Sequence, residues 1–286
     1  MSTMRRALVL AGGGYVASSW EIGLVTGMAD MGLDVRNADL FIGTSAGARV
    51  ALDLASGKAL EEFYQMRAGP DLPPLELARM IDWPRIRAGV EDAKKAGGST
   101  AEILRRFGAL ALEVAVGKYS DRREAVARQI PLQAWPEQRV LIVTLNAETG
   151  ERRAFDKDSG IDLVDAVIAT TASFGSAPTL FNGQYYFDGG YYSGDNADLA
   201  VGYERVLILS LIPPPQAMRQ VSLDTAVEAL RAAGAEVEVI HPDEDTLAAL
   251  ASTGGQMNPA SGRPAAIAGR LQGHRGVSER LKSFWR

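Results

Sequence analysis

The chain has 286 residues, 47% of them hydrophobic and 23% charged, enough for one large α/β domain with a sizeable core. A formal net charge of −5 argues against a broad nucleic-acid surface, which needs clustered Lys and Arg. The lack of cysteine excludes disulfides, thiolate metal sites and a cysteine nucleophile.

The first pattern in chain order is an apolar run over 7–11, ended by Gly12-Gly13-Gly14, which predicts a buried parallel strand. The run is too short for a signal peptide, and no apolar stretch approaches the roughly 18 residues of a membrane span. The expected location is therefore the cytoplasm. A helix is predicted over about 18–31, closed by Gly32, and Leu40-Phe41-Ile42 reads as a second short strand. That strand ends at Gly43, and 46–55 reads as a helix with Gly57 just beyond it. Residues from about 58 to 137 carry helical patterns broken by Pro70, Pro73, Pro74, Pro84 and Pro131. They are expected to form a mainly helical insertion or cap within a single domain, 1–286. Residues 139–145 are the clearest strand. Asn182-Gly183 predicts a hairpin turn leading into a strand over 184–187. Further strands are predicted at 205–210 and 236–240, with a helix over 223–233 between them. Strands alternating with helices predict a parallel sheet covered on both faces. Residues 253–264, rich in Gly, Pro, Ser and Asn, read as a loop, followed by a C-terminal helical segment at about 264–286. There Val277, Leu281, Phe284 and Trp285 repeat at i, i+4, i+7 and i+8 among Arg275, Arg280 and Lys282, the pattern of an amphipathic basic helix. Such a helix either docks on the domain or meets a membrane surface.

Gly43-Thr44-Ser45-Ala46-Gly47 lies between a short apolar strand and a helix. A strand turning sharply into a helix strains its middle residue and holds that hydroxyl clear of the sheet, at the positive end of the helix. Ser45 is thus a candidate nucleophile, against the plainer reading of a tight turn with a serine helix cap. Gly12-Gly13-Gly14, directly after the first strand, suits an oxyanion-binding loop of backbone N–H groups. Gly12, Gly14 and Ala17 also match a dinucleotide fingerprint, which leaves a nucleotide- or NAD-binding oxidoreductase as an alternative. That reading wants an acidic residue ending the second strand, whereas Asp39 precedes it. A serine nucleophile needs a base. The chain has two histidines, His241 and His274, and Ser45 with an aspartate and His274 would imitate a hydrolase triad. The better candidate is Asp188, at a predicted strand end before Gly189-Gly190, where Tyr186, Phe187 and Tyr191 offer partial desolvation. Asp195 and Asp198 are the alternatives, read as loop and helix-start residues.

Together the glycine triplet, the Ser45 elbow and Asp188-Gly189-Gly190, in this order and spacing, resemble the patatin-like phospholipases. Residues of about 6–57 and 139–212 carry the likeness. The resemblance implies a three-layer α/β/α sandwich with a mostly parallel central sheet, and no metal or cofactor. It implies a Ser–Asp dyad in which Ser45 is the nucleophile, Asp188 the proton acceptor and the N–H groups of Gly12, Gly13 and Gly14 the oxyanion hole. A lipid or other acyl ester is then the expected substrate and an acyl-enzyme the intermediate, with peripheral membrane contact as a further possibility. Leu75, Leu77, Met80, Ile81 and Trp83 either line an acyl channel or pack as ordinary core. Many members follow the glycines with Xaa-Lys/Arg-Gly, where this chain has Tyr15-Val16-Ala17. Trp20-Glu21-Ile22-Gly23 resembles a bacterial, actinobacterial-like branch lacking that basic residue. A catalytically weak relative acting as a binding module is the third expectation.

Overall fold

The structure, a computed structural model, describes residues 4–69, 80–116, 119–211, 220–251 and 255–286. Eight strands form one mixed sheet: β1 (Arg6–Leu10), β2 (Leu40–Thr44), β3 (Arg139–Asn146), β4 (Arg152–Phe155), β5 (Thr179–Phe181), β6 (Gln184–Asp188), β7 (Arg205–Leu209) and β8 (Glu236–Ile240). Their order is β5-β6-β3-β2-β1-β7-β8, with β4 also paired to β3. The five strands β3-β2-β1-β7-β8 are parallel, while β4 and β6 pair antiparallel with β3, and β5 antiparallel with β6. This is an α/β fold with a mixed central sheet flanked by helices.

The period-2 alternation of the strands splits their side chains between two faces. Leu8, Leu10, Phe41, Ile142 and Leu209 face α1 (Gly14–Asp30), α2 (Ala46–Ala55) and α7 (Leu163–Thr170) in the larger core. Ala7, Val9, Ile42, Val143 and Ile208 face α8 (Leu223–Ala232) and a short turn over 197–200. Strands buried on both faces need apolar residues at every position, which is why 7–11 and 140–143 read as continuous runs. Between α2 and β3 come α3 (Leu60–Ala68), α4 (Trp83–Lys95), α5 (Thr100–Glu113) and α6 (Tyr119–Gln129). Asp82 caps α4, and Ser99 with Glu102 forms a capping box on α5. Phe107 and Leu110 of α5 bury Leu145 and Phe187 in a third, smaller core.

The remaining helices are α9 (Glu244–Leu250), α10 (Gly262–Gly276) and α11 (Glu279–Trp285). Helix α10 lies along α1 so closely that a Cβ on Gly23, Gly27, Gly269 or Gly273 would strike the opposing backbone. The helix thus begins at 262, inside the segment expected as a loop, and the C-terminal stretch is two helices with Val277 between them. Leu281, Phe284 and Trp285 are buried in the larger core, and Trp285 Nε1 donates to Asn37 Oδ1 at 2.8 Å. Arg280 pairs with Glu238. The apolar set therefore docks on the domain and presents no such face to a lipid surface. Among the described residues no helix is long and apolar enough to cross a membrane.

Candidate active site

Helix α1 starts at Gly14, earlier than the apolar pattern suggests, because the glycines themselves make the turn: Gly13 has φ 154° and Gly14 φ 63°. Strand β2 ends at Thr44, α2 begins at Ala46, and Ser45 makes the whole bend at φ 53°, ψ −118°. A non-glycine residue there is strained by about 1–3 kcal/mol and persists only where its surroundings enforce it. The enforcement is visible. A Cβ on Gly47 would strike the Leu10 and Ala11 carbonyls, and one on Gly43 would strike the Ala48 backbone. The Ser45 N–H donates to Thr170 Oγ1 at 2.9 Å, and that hydroxyl donates to the Val143 carbonyl at 2.5 Å. Ser45 is the cap residue of α2, yet its hydroxyl caps no amide. That removes the plain helix-cap explanation for a serine at this position.

The sheet register brings Asp188 to the same place. Strand β2 puts Thr44 opposite Val143, and β6 puts Asp188 opposite Thr144. Strand β4 holds the other edge of β3 across both residues, pairing Val143 with Ala154 and Thr144 with Arg153. Strands β2 and β6 therefore share one edge of β3 and meet end to end, so that Thr44 and Asp188 flank consecutive β3 residues. Asp188 is buried, its N–H donates to the Ala172 carbonyl at 3.2 Å, and its Oδ1 accepts the Gly190 N–H at 2.8 Å. Behind it Phe187 stacks on Tyr191, and Tyr191 packs on Phe174.

The glycine loop touches this junction, since a Cβ on Gly12 would lie 3.2 Å from the Ser45 Cβ. Its three amides are not equivalent. The Gly12 N–H donates to the Gly194 carbonyl at 3.0 Å. Among the described residues the N–H groups of Gly13 and Gly14 have no acceptor. They stand at the N-terminus of a 17-residue helix, where developing negative charge is favoured.

Residues that motif reading misses hold the junction together. Asn196, at φ 51°, donates from Nδ2 to Thr44 Oγ1 at 3.0 Å and to the Ser193 carbonyl at 2.7 Å, and lies 3.4 Å from the Gly189 carbonyl. It ties the end of β2 to the loop beyond Asp188. Arg152 reaches Asn196 Oδ1 at 3.2 Å, grips Asp198 with two 2.6 Å bonds and stacks on Tyr192. The only sequence signal for this clamp is an asparagine in the Ser193-Gly194-Asp195-Asn196 turn, a residue type that tolerates left-handed backbone.

Three further charged groups lie nearby. Glu21 of α1 is fully buried, and burial pushes its carboxyl well above the usual range, the Asp195 charge adding to the effect. Asp53 of α2 is buried too, and desolvation raises it to about 6 despite its 2.9 Å bridge to Arg67. Arg49, one turn after Ser45, has its pKa lowered by burial first and by the Arg67 charge second.

The competing assignments are not brought together. His241 follows β8, bound to the Ser210 carbonyl at 2.8 Å, three strands from β2 or roughly 14 Å at normal strand spacing. His274 pairs with Asp30, the last residue of α1, which lies about 24 Å along the helix from Gly14 at 1.5 Å per residue. Asp39 sits at the start of β2, accepting from the Arg6 N–H, at the opposite end of the sheet from the glycine loop. Asp198 is taken by Arg152, and Asp195 is buried beside Glu21. Of the apolar insertion residues, Ile81 packs on Gly175, Met80 and Trp83 are exposed, and Leu75 and Leu77 lie outside the described residues. Among the described residues no group of three or more His, Cys, Asp or Glu side chains is arranged to hold a metal ion.

A family model described as patatin-like phospholipase matches residues 8–201. The cGAMP-activated phospholipase of Vibrio cholerae serotype O1 is 29% identical over 178 residues, covering 57% of this chain and 42% of that protein. The match thus spans less than half the length of that relative. Among solved structures, VipD from Legionella pneumophila superposes with a TM-score of 0.45 at 12% identity, covering 95% of this chain and 66% of that one. Human GIVD cytosolic phospholipase A2, in complex with methyl γ-linolenyl fluorophosphonate, gives a TM-score of 0.44 at 15% identity, covering 99% and 59%.

Proposed function

The chain belongs to the patatin-like phospholipase family, and on that premise we propose that it is a serine acyl hydrolase cleaving lipid acyl esters through a Ser45–Asp188 dyad. The observation that carries the reading is the end-to-end meeting of β2 and β6 on one edge of β3, with a strained serine at one tip and a buried carboxylate at the other. Asp188 accepts the Ser45 hydroxyl proton as Oγ bonds to the ester carbonyl carbon. The carbonyl oxygen becomes an oxyanion beside the glycine loop. Gly13 and Gly14 are its donors, because Gly12 already serves Gly194. A preorganised donor of this kind stabilises the transition state by roughly 3 kcal/mol. The carbon–oxygen bond to the alcohol breaks, and Asp188 returns the proton to that leaving oxygen. Water then attacks the acyl-enzyme, giving one proton to Asp188, which passes it back to Ser45 as the fatty acid departs.

The test is labelling with a fluorophosphonate probe followed by a panel of acyl esters. Wild type is expected to label and to turn over, Ser45→Ala to do neither, and Asp188→Asn to lose both by orders of magnitude while staying folded. Labelling that survives in Ser45→Ala would refute the assignment.

A further inference from the structure

The turn over 255–261, just ahead of α10, crosses the first turn of α1. The Gln256 carbonyl accepts the Val16 N–H at 3.4 Å. Within the turn, Ser261 Oγ and the Asn258 N–H both donate to the Gly255 carbonyl, at 2.9 and 3.1 Å. Met257 is the residue that this turn lays against the glycine loop. A Cβ on Gly14 would lie 2.6 Å from Met257 Sδ, which puts the sulfur within about 4 Å of the Gly14 Cα. Met257 is nonetheless 60% exposed, so small oxidants in solution can reach it. Exposure alone does not single it out, since Met66 and Met80 are exposed to 63% and 64%. What sets Met257 apart is its neighbour, a loop whose Gly13 and Gly14 N–H groups have no acceptor among the described residues. A thioether is a weak acceptor and makes little demand on those amides. A sulfoxide carries a polar oxygen and does.

We propose that Met257 is an oxidation site through which peroxide lowers ester turnover, its sulfoxide oxygen occupying the Gly13 or Gly14 N–H that the oxyanion needs. The inference rests on the reading of Ser45 as nucleophile and of those amides as its oxyanion donors. In the chemical step a sulfur lone pair attacks one oxygen of hydrogen peroxide. The O–O bond breaks as the S–O bond forms, and the departing hydroxide takes the proton of the transferred oxygen to leave as water. Sulfur gives up two electrons and the peroxide gains them. The new oxygen projects from a sulfur already packed on Gly14, and the flexible methionine side chain lets it turn to the amides. The positive end of the 17-residue α1 attracts the sulfoxide oxygen as it would an oxyanion.

The experiment treats wild type, Met257→Leu and Met66→Leu with hydrogen peroxide and maps the oxidised methionines by peptide mass spectrometry. It then compares kcat/KM for a p-nitrophenyl ester, and the amide NMR signals of Gly13 and Gly14, before and after treatment. In wild type Met257 is expected to gain one oxygen and at least one of the two amide signals to move. Turnover is expected to fall roughly 10-fold, the size of one hydrogen bond that the substrate must displace. Methionine sulfoxide reductases, one for each sulfoxide epimer, restore both. Met257→Leu holds its own untreated rate through the treatment, and Met66→Leu responds like wild type. A Met257 sulfoxide that leaves turnover unchanged overturns the proposal. So does an equal loss in Met257→Leu, or a Met257 that resists peroxide while Met66 is oxidised. If untreated wild type neither labels with a fluorophosphonate nor turns over the ester, the nucleophile reading fails instead. The amide signals then decide for Met257: a shift on oxidation that Met257→Leu lacks supports the sulfoxide contact, and unmoved signals overturn it.

Discussion

The bend at Ser45 and the turn at Asp188 arrive at one point from opposite directions, and they are held by different means. The bend is fixed by its immediate neighbours. Gly43 and Gly47 admit backbones that any Cβ would strike, and Ser45 carries the strain between them. The Asp188 turn is fixed by register. Strand β6 reaches the junction because it pairs antiparallel to β3 over only three positions, from Thr144 to Asn146. A locally strained device fails by clash, whereas a registered one fails by slippage, since a one-residue shift turns a strand's side chains to the other face. The two halves of the proposed dyad should therefore respond to mutation in different ways.

The largest expected effect separates chemistry from architecture. Asp188→Asn keeps the Gly190 contact and the strand pairing but removes the proposed base. Ester turnover should fall by roughly 10³- to 10⁴-fold with little change in melting temperature. A large loss of stability in that variant would mean that the carboxylate is mainly structural. Next comes Gly47→Ala, which drives a methyl into the Leu10 carbonyl and should destabilise the fold by at least about 3 kcal/mol, measured by urea unfolding. An unaffected Gly47→Ala would show that the elbow relaxes easily and that its strain is not enforced. Smaller again is Asn196→Ala, which cuts the tie between Thr44 and the Asp188 loop. Loss of these buried hydrogen bonds should lower stability by about 2 kcal/mol and slow turnover, while Ser45 still labels.

The same contrast explains what could be read from the sequence. The Ser45 elbow is legible because its constraint lies within five consecutive residues, and the strand and helix around it are apolar and short. Strand β6 is legible as a hairpin arm, since Asn182 and Gly183 both take the positive φ that a tight turn needs. Which residue its tip would meet is not, because that depends on the pairing of β3, about forty residues upstream. Thr170 and Asn196 are ordinary polar residues whose importance arises only from what lies across from them. Strand β4, with Arg152 and Arg153 among its four residues, has no apolar alternation to announce it. Helix α10 is legible over most of its length, since the segment from about 264 reads as helical, but its packing is not. Each glycine lowers helix propensity by about 1 kcal/mol, so glycines inside a helix need another reason. Its Gly269 and Gly273 are the positions where α1 comes close, and the packing outweighs the propensity.

The smallest effect belongs to the elbow side alone and depends on pH. Asp53 lies two turns down α2 from Ser45, and burial lifts its pKa from 3.8 to about 6. A carboxyl raised in the folded state binds its proton more tightly there than in the unfolded chain. Its stabilising contribution is therefore full below pH 4 and is lost as pH rises through 6. Other acids such as Asp30 and Asp34 are lowered by arginine partners and act in the opposite sense, so wild type alone would blur the signal. The difference between wild type and Asp53→Asn isolates it. Wild type should lose roughly 1–2 kcal/mol relative to the variant between pH 4 and pH 6, read from paired urea melts. A difference that grew with pH instead would mean that the Arg67 bridge outweighs burial, and that Asp53 already neutralises the guanidiniums beside the elbow. That makes this modest measurement a check on the charge balance of the Arg49, Arg67 and Asp53 cluster.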